Sequence, residues 1–411
     1  MMTVELENQS RADLAVCSPR DRVPIRAPGS SGRVMHVVHW PGVTGINLLL
    51  RGLLERMIPA GFESHVVCMR GDVSAKSAAV VDFESIAASV RYLNAERVGG
   101  GAFASIDLRR AVREVAPDIL HTHSFQPVIW GSLCPIDQRR HITTVHTDYP
   151  YFTRRDIRSR LKRTLEIGVL QRVPIQIVAV GHKVHRLMIE LGVPRERLTL
   201  IENGVDVDRW PARGAVNRQA RLEVGISPDD FLLVTVGRLD VRTKAHDLLL
   251  KAVAELRKTR PQLKLLLIGD GPDRALLEAM VCASGLTGAV YLLGHVPDSR
   301  PFLDMADAYI SSSIVEGFGL AVVEAMLRGL PTIATDVGVA PEAIETGITG
   351  VLAVAGDVSA LIRAIGDVID GRYDLAAMGR RGEQSARLKY DLKVTANGYM
   401  DFYGRVLAGI S

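Results

Sequence analysis

The chain has 411 residues, 47% apolar and 23% charged, with a net charge of +4. That length exceeds what one core usually supports, which predicts two domains. Basic and acidic residues are interspersed, which excludes the dense basic stripe of a nucleic-acid binder, and no apolar run approaches the ~20 residues of a membrane span.

Residues 1–32 are polar, with prolines and the run Gly29-Ser30-Ser31-Gly32, and are read as a disordered extension. They lack the basic-then-apolar layout of a signal peptide. Cys17, Cys68, Cys134 and Cys282 lie far apart with no C-x-x-C pair. This predicts reduced thiols in a cytoplasmic protein, not a disulfide framework or a zinc site.

From Val34 onward, short apolar runs alternate with helical spacing. Val34–Val38, His65–Met69, Ile119–Thr122, Ile142–Val145 and Ile177–Val180 predict buried strands, with helices such as Ile46–Ile58 and Leu108–Val115 between them. The alternation predicts a Rossmann-like domain over 33–205, a parallel sheet covered by helices. After the first strand comes Trp40-Pro41-Gly42-Val43-Thr44-Gly45-Ile46-Asn47, a glycine-rich loop whose helix-start N–H groups can hold an anion. His121-Thr122-His123 ends a strand and is read as one packed histidine and one facing the cleft, not as a metal pair. Thr144-Val145-His146-Thr147 ends the next strand; the following Asp148-Tyr149-Pro150-Tyr151 fits no pattern and is left to acceptor recognition.

Arg154–Arg163 is basic, and Ile157, Leu161 and Leu165 recur every four residues, which predicts an amphipathic helix. The preferred reading is a solvated face packed on the first domain. The sharper alternative is peripheral contact of 154–163 with anionic lipid at the inner membrane face. Asn203-Gly204-Val205-Asp206 predicts a hinge turn without a chemical role.

A polar linker at 206–217 leads to a second series over 218–385. Phe231–Val236, Leu263–Ile268, Val290–Leu293, Ala308–Ser311, Thr332–Thr335 and Val351–Val354 predict its strands, and Leu248–Leu256 and Ala321–Arg328 two of its helices. Residues 386–411 predict a C-terminal helix packing back on the first domain. The fold class is α/β: two doubly wound domains facing across a cleft. Ligands of such sheets sit beyond the carboxyl ends of the strands, so the ligand belongs in the cleft.

The densest chemistry lies in Ser311-Ser-Ser-Ile-Val-Glu316-Gly-Phe-Gly-Leu-Ala-Val-Val-Glu324. A strand, a loop with Gly317 and Gly319, and a helix N-terminus follow one another, a layout that offers free N–H groups to anionic oxygens. Eight residues of helix between the two glutamates span roughly 12 Å. Glycosidase carboxylates stand about 5–9.5 Å apart, so the pair suits two parts of one long ligand better. Val236-Gly237-Arg238-Leu239 ends a strand and Lys244-Ala245-His246 opens a helix, two cations placed to suit a diphosphate. Ile268-Gly269-Asp270-Gly271-Pro272 and Leu293-Gly294-His295-Val296 are strand-end turns.

Taken in order, these pieces resemble the retaining GT-B glycosyltransferases of glycosyltransferase family 4 (group 1), whose signature is E-x7-E. The resemblance runs from about Val34 to the C-terminus. It implies transfer of a hexose-type sugar from a nucleoside diphosphate sugar to an acceptor hydroxyl, with retention and without cofactor or essential metal. Arg238 and Lys244 would hold the diphosphate as leaving group. Glu316 and the backbone of Gly317, Phe318, Gly319 and Leu320 would contact sugar and phosphate. Glu324 would accept from the ribose hydroxyls, and the turns carrying His295 and Val296 would line the nucleobase pocket. Gly45 would approach the donor phosphates, and His146 would face the donor sugar and phosphate as a catalytic-site residue. The family usually has Gly where Ala245 stands, a change expected to matter little, and Asp336-Val337-Gly338-Val339-Ala340-Pro341-Glu342 keeps one glycine of a usual pair. Alternatives are another GT-B enzyme (a phosphorylase or a sugar-nucleotide epimerase) or a non-catalytic nucleotide-sugar binder. A phosphorylase needs a pyridoxal-binding lysine site, and none is recognised in the sequence.

Overall fold

The computed structural model describes residues 31–42, 44–70, 80–93, 100–123, 125–146, 157–211, 221–222 and 224–410. Most of the N-terminal extension, Val43, Asp148–Tyr151, the first residues of the basic segment and the second half of the predicted linker lie outside them.

Two parallel sheets organise the chain. The first contains β1 (Gly32–Val38), β2 (Phe62–Cys68), β3 (Ser89–Tyr92), β4 (Ile119–His123), β5 (His141–Val145), β6 (Gln176–Ala179) and β7 (Leu198–Leu200). Their spatial order is β3-β2-β1-β4-β5-β6-β7. The second contains β8 (Phe231–Val236), β9 (Leu263–Ile268), β10 (Val290–Gly294), β11 (Ala308–Ser311), β12 (Thr332–Thr335) and β13 (Val351–Ala353), ordered β10-β9-β8-β11-β12-β13. Both orders reverse beside the first strand of their sheet, which opens a crevice at the carboxyl ends of β1 and β4 and of β8 and β11.

Central strands read as continuous apolar runs because helices cover both faces. Helix Gly45–Met57 shows the pattern: Thr44 caps it, and Leu49, Leu50, Leu53, Leu54 and Met57 are buried. Each such side chain contributes on the order of 1.5–3 kcal/mol when fully buried.

The chain crosses between the sheets twice, and the crossings are bonded to each other. Val205 N–H donates to the Tyr390 carbonyl at 2.8 Å, and Leu392 N–H donates to the Val205 carbonyl at 2.9 Å. A Cβ on Gly204 would stand 2.7 Å from the Leu392 nitrogen, so the glycine permits the close approach. Helix Leu392–Ala408 then returns to the first sheet, where Leu392, Tyr399, Phe402 and Tyr403 join the core under Gly45–Met57.

The basic segment meets its expectation only in part: its helix packs against helix Phe125–Gly131 and buries Leu170, but not through the predicted leucine row. Its described helix is Ile157–Arg172. Leu161 and Leu165 are 60% and 53% exposed, so this leucine row faces solvent and does not pack on the first domain. Among the described residues, no helix is long and apolar enough to cross a membrane.

Candidate functional site

Lys244 ends a one-turn helix, Val241–Lys244, just beyond β8; Asp240 caps that helix by accepting from the Arg242 N–H. The Lys244 ammonium donates to Glu316 Oε1, and the same oxygen accepts from Ser313 Oγ at 2.8 Å. The loop after β11 is sewn to this turn: Ser312 Oγ donates to the Lys244 carbonyl at 2.8 Å, and Ile314 N–H to the Thr243 carbonyl at 2.8 Å. Adjacency of β8 and β11 in the sheet brings cation and carboxylate together across 72 residues of sequence. Ser312 and Ser313 read only as strand-end polar residues in the sequence; their contacts depend on this pairing. The Arg238 side chain is exposed and makes no hydrogen bond or ion pair with a described residue. One cation is anchored at Glu316 and the other, Arg238, is open to solvent, so positive charge is left available to an anion.

Ala245 corrects an expectation. It adopts φ +50°, ψ +37°, the left-handed region, at the junction of two helices. A side chain there costs roughly 1–2 kcal/mol relative to glycine, so alanine is not neutral at this position.

Beyond β8, β9 and β10 the turns stack backbone on backbone. Gly237 N–H donates to the Ile268 carbonyl at 2.9 Å, and Gly269 N–H to the Gly294 carbonyl at 2.8 Å. Gly269 sits at φ +133°, and a Cβ there would lie 1.9 Å from the Gly237 carbonyl oxygen. His295 follows as an exposed side chain; Val296 is half-buried against the core.

Glu316 lies in the loop, and the helix runs only from Leu320 to Leu327. The interval between Glu316 and Glu324 is therefore half loop, which replaces the continuous helix assumed in the 12 Å spacing. Gly319 reaches φ +94° to start that helix. The ring of Phe318 is buried edge-on against Tyr390 at 5.8 Å, and its carbonyl accepts from the Val339 N–H at 2.6 Å. Phe318 thus holds the loop by its ring and carbonyl. The glycine kept at 338 is required: at φ +60°, a Cβ would lie 2.4 Å from the Phe318 oxygen and 2.7 Å from Glu316 Cβ. Burial pushes the Glu324 carboxyl up to about 7.

The first sheet meets this loop at two points. A Cβ on Gly45 would be 3.1 Å from Leu320 Cδ1, and one on Gly181 would be 3.8 Å from the Gly317 oxygen. Gly45 follows β1 and Gly181 follows β6. The ends of β4 and β5 lie between them in sheet order, so His123 and His146 belong to the same rim. Asn47 braces the glycine-rich loop, its amide donating to the Trp40 and Gly42 carbonyls at 2.7 and 2.8 Å.

His121 and His123 are both buried, which corrects the reading of one packed ring and one facing the cleft. Residues two apart on a strand share a face, and their ring centroids are 4.2 Å apart. With His36 they form a group whose ring nitrogens lie within 4.8 Å of one another. Those nitrogens are largely committed. His121 bonds Tyr403 OH at 2.6 Å and Thr144 Oγ1 at 2.7 Å. His123 bonds His36 at 3.4 Å and His146 at 3.0 Å. Burial holds His36 and His146 down to about 3, and His121 and His123 well below the ordinary imidazole range, so all four rings are neutral. Among the described residues, His36 Nε2 and His146 Nδ1 are buried without a hydrogen-bond partner.

Comparison with known proteins bears on this arrangement. Residues 217–385 match the family model for glycosyl transferases group 1, and residues 43–209 that for glycosyltransferase family 4. The D-inositol 3-phosphate glycosyltransferase of Nocardia farcinica is 31% identical over 54% of this chain and 51% of its own length. The GDP-mannose-dependent alpha-(1-6)-phosphatidylinositol monomannoside mannosyltransferase of Mycolicibacterium smegmatis is 31% identical over 47% of this chain and 52% of its own. The chain thus spans about half the length of the curated relatives it matches. Among solved structures, Anabaena HepE with UDP and glucose superposes with a TM-score of 0.76 at 18% identity, covering 90% of this chain and 99% of that one. Sucrose-phosphate synthase of Thermosynechococcus elongatus gives 0.77 at 19%, covering 92% and 99%. With both halves matched in order and both sheets shared with these neighbours, the chain belongs to the group 1 glycosyltransferases, glycosyltransferase family 4, of GT-B fold.

Proposed function

We propose that this protein is a retaining glycosyltransferase that moves a hexose-type sugar from a nucleoside diphosphate sugar to an acceptor hydroxyl. The observation that carries the reading is the Lys244–Glu316 pair beside the helix that begins at Leu320. A cation for the diphosphate and a carboxylate for the sugar sit together where backbone N–H groups also converge. Arg238 adds a second cation to the same rim. In the reaction, the bond from the anomeric carbon to the diphosphate breaks while the acceptor oxygen bonds that carbon from the same face. The acceptor proton passes to a departing phosphate oxygen. Lys244, Arg238 and the helix N-terminus stabilise the charge that develops on the leaving group, which is where binding energy raises the rate. Glu324 accepts from the ribose hydroxyls, and no divalent ion is required.

UDP and GDP sugars are the first donors to test. The Anabaena neighbour was solved with UDP-glucose, and the mycobacterial relative is GDP-mannose-dependent. A thermal-shift screen of UDP-, GDP-, ADP- and TDP-linked sugars tests the site, since a ligand at 100 times its Kd stabilises by about 2.7 kcal/mol. If none raises the melting temperature, the donor reading fails. Product NMR at the anomeric carbon tests retention, and unchanged turnover in EDTA tests metal independence.

A further inference from the structure

Three buried histidines stand in one line. His36 Nδ1 lies 3.4 Å from His123 Nε2, and His123 Nδ1 lies 3.0 Å from His146 Nε2. The line begins on β1, passes through the end of β4 and leaves at the residue after β5. Each end is a buried nitrogen with no partner among the described residues: His36 Nε2 at the inner end and His146 Nδ1 at the outer. The rings are otherwise held in place. His121 packs 5.3 Å from the His36 ring and 4.2 Å from the His123 ring, and is itself fixed by Tyr403 and Thr144.

A neutral imidazole has one N–H and one lone pair. Two hydrogen bonds joining three such rings leave only two arrangements. Either every proton points toward His146, whose Nδ1 then bears N–H while His36 Nε2 keeps a lone pair, or every proton points the other way. A mixed arrangement sets two lone pairs or two protons face to face. We infer that His36 and His123 are positioning residues that tie the tautomer of His146 to one proton order along the line, so that in the bound state its Nδ1–H donates to an anionic oxygen of the nucleotide. In the free protein, either sense leaves one N–H without an acceptor. A phosphate oxygen at the outer end removes that cost for one sense alone, because an orphaned buried N–H is the rarer and costlier defect. Nucleotide binding therefore selects a single proton order over three rings and two β-strands.

The inference rests on the donor-site reading for His146, and the test separates the two. Full-length protein carrying 15N-labelled histidine is studied by NMR, free and with UDP or GDP as probe. In the free protein, hydrogen-bond coupling between His123 Nδ1 and His146 Nε2, and between His36 Nδ1 and His123 Nε2, is expected; its absence overturns the chain whether or not nucleotide binds. With nucleotide bound, the proton is expected on Nδ1 of His146, His123 and His36. A proton on His146 Nε2 in that state overturns the proposal. His36→Leu removes the inner donor and is expected to weaken nucleotide binding about tenfold, while His36→Asn, whose amide can still donate to His123, stays within about twofold of wild type. Equal affinities for the two variants overturn the proposal. If the leucine variant does not fold, the wild-type spectra decide. A His146→Ala variant that binds nucleotide like wild type sinks the donor reading of that residue, even with the chain intact.

Discussion

Lys244 and Glu316 satisfy each other in the free protein. The ammonium and carboxylate are 24% and 14% exposed, and Ser313 shares the carboxylate oxygen. On the proposed donor reading, donor binding is expected to redistribute these partners, with the lysine turning to phosphate and the glutamate to the sugar. Lys244→Ala is expected to lower kcat/KM by about 10²–10³, the scale of one lost transition-state donor. It should also cost about 1–2 kcal/mol of stability, because a half-buried carboxylate loses its partner. Glu316→Gln keeps the hydrogen bonds, so stability should change less while turnover still falls. Kinetics with thermal unfolding checks both; a Lys244→Ala enzyme with normal turnover removes the lysine from the chemistry.

On the proposed reading, Glu324 should make nucleotide binding pH-dependent. Its folded carboxyl titrates at about 7, raised from 4.5 by burial. The folded state therefore holds this proton more tightly than the unfolded chain. The associated stability is fully present below pH 4.5 and is lost as pH rises through 7. Ribose hydroxyls need the ionised form as acceptor, so nucleotide affinity should run the other way, rising about tenfold from pH 6 to pH 8. Glu324→Gln should flatten that dependence. Calorimetric titrations at three pH values decide it; affinity falling across this range would contradict the assignment.

Ala245→Gly should stabilise the protein. Relief of the left-handed backbone, roughly 1–2 kcal/mol, exceeds the 0.4–1 kcal/mol that glycine adds to unfolded-chain entropy. The net is about 0.5–1 kcal/mol, a rise in Tm of about 2 °C in a domain of this size. Differential scanning calorimetry on the pair of proteins is the measurement; a lower Tm for the glycine variant means the φ of +50° carries no strain.

Several strands were legible residue for residue, including Phe231–Val236, Leu263–Ile268 and Thr332–Thr335, because both their faces are largely buried and their runs are apolar apart from Lys264 and a few threonines. The two strands that escaped, Ser89–Tyr92 and Leu198–Leu200, are the edges of the first sheet. Ser89–Tyr92 is half-exposed along most of its length and Leu198–Leu200 has three residues, so neither makes an apolar run. The residues expected on the donor side stand out in the sequence because glycines, charges and strand ends recur in a fixed order. The histidine line was not, since it needs the register that pairs β1 with β4 and β4 with β5. The available signal was a histidine at or near the ends of three strands that prove to be neighbours.

Gly338 separates loop geometry from general strain. A methyl there would meet the Phe318 carbonyl and Glu316 Cβ, the atoms that place the carboxylate. Gly347 also has positive φ, +85°, but a Cβ at that position would meet only the Tyr373 ring at 3.5 Å. Both alanine variants should lose about 1–2 kcal/mol from the left-handed backbone. Only Gly338→Ala must also push the Glu316 loop aside, so it alone should weaken donor binding, by about tenfold or more. Its extra stability loss should bring the total to about 2–4 kcal/mol. Paired denaturation and binding measurements make the comparison. Equal donor affinity in the two variants would mean that the loop carrying Glu316 does not contact the donor.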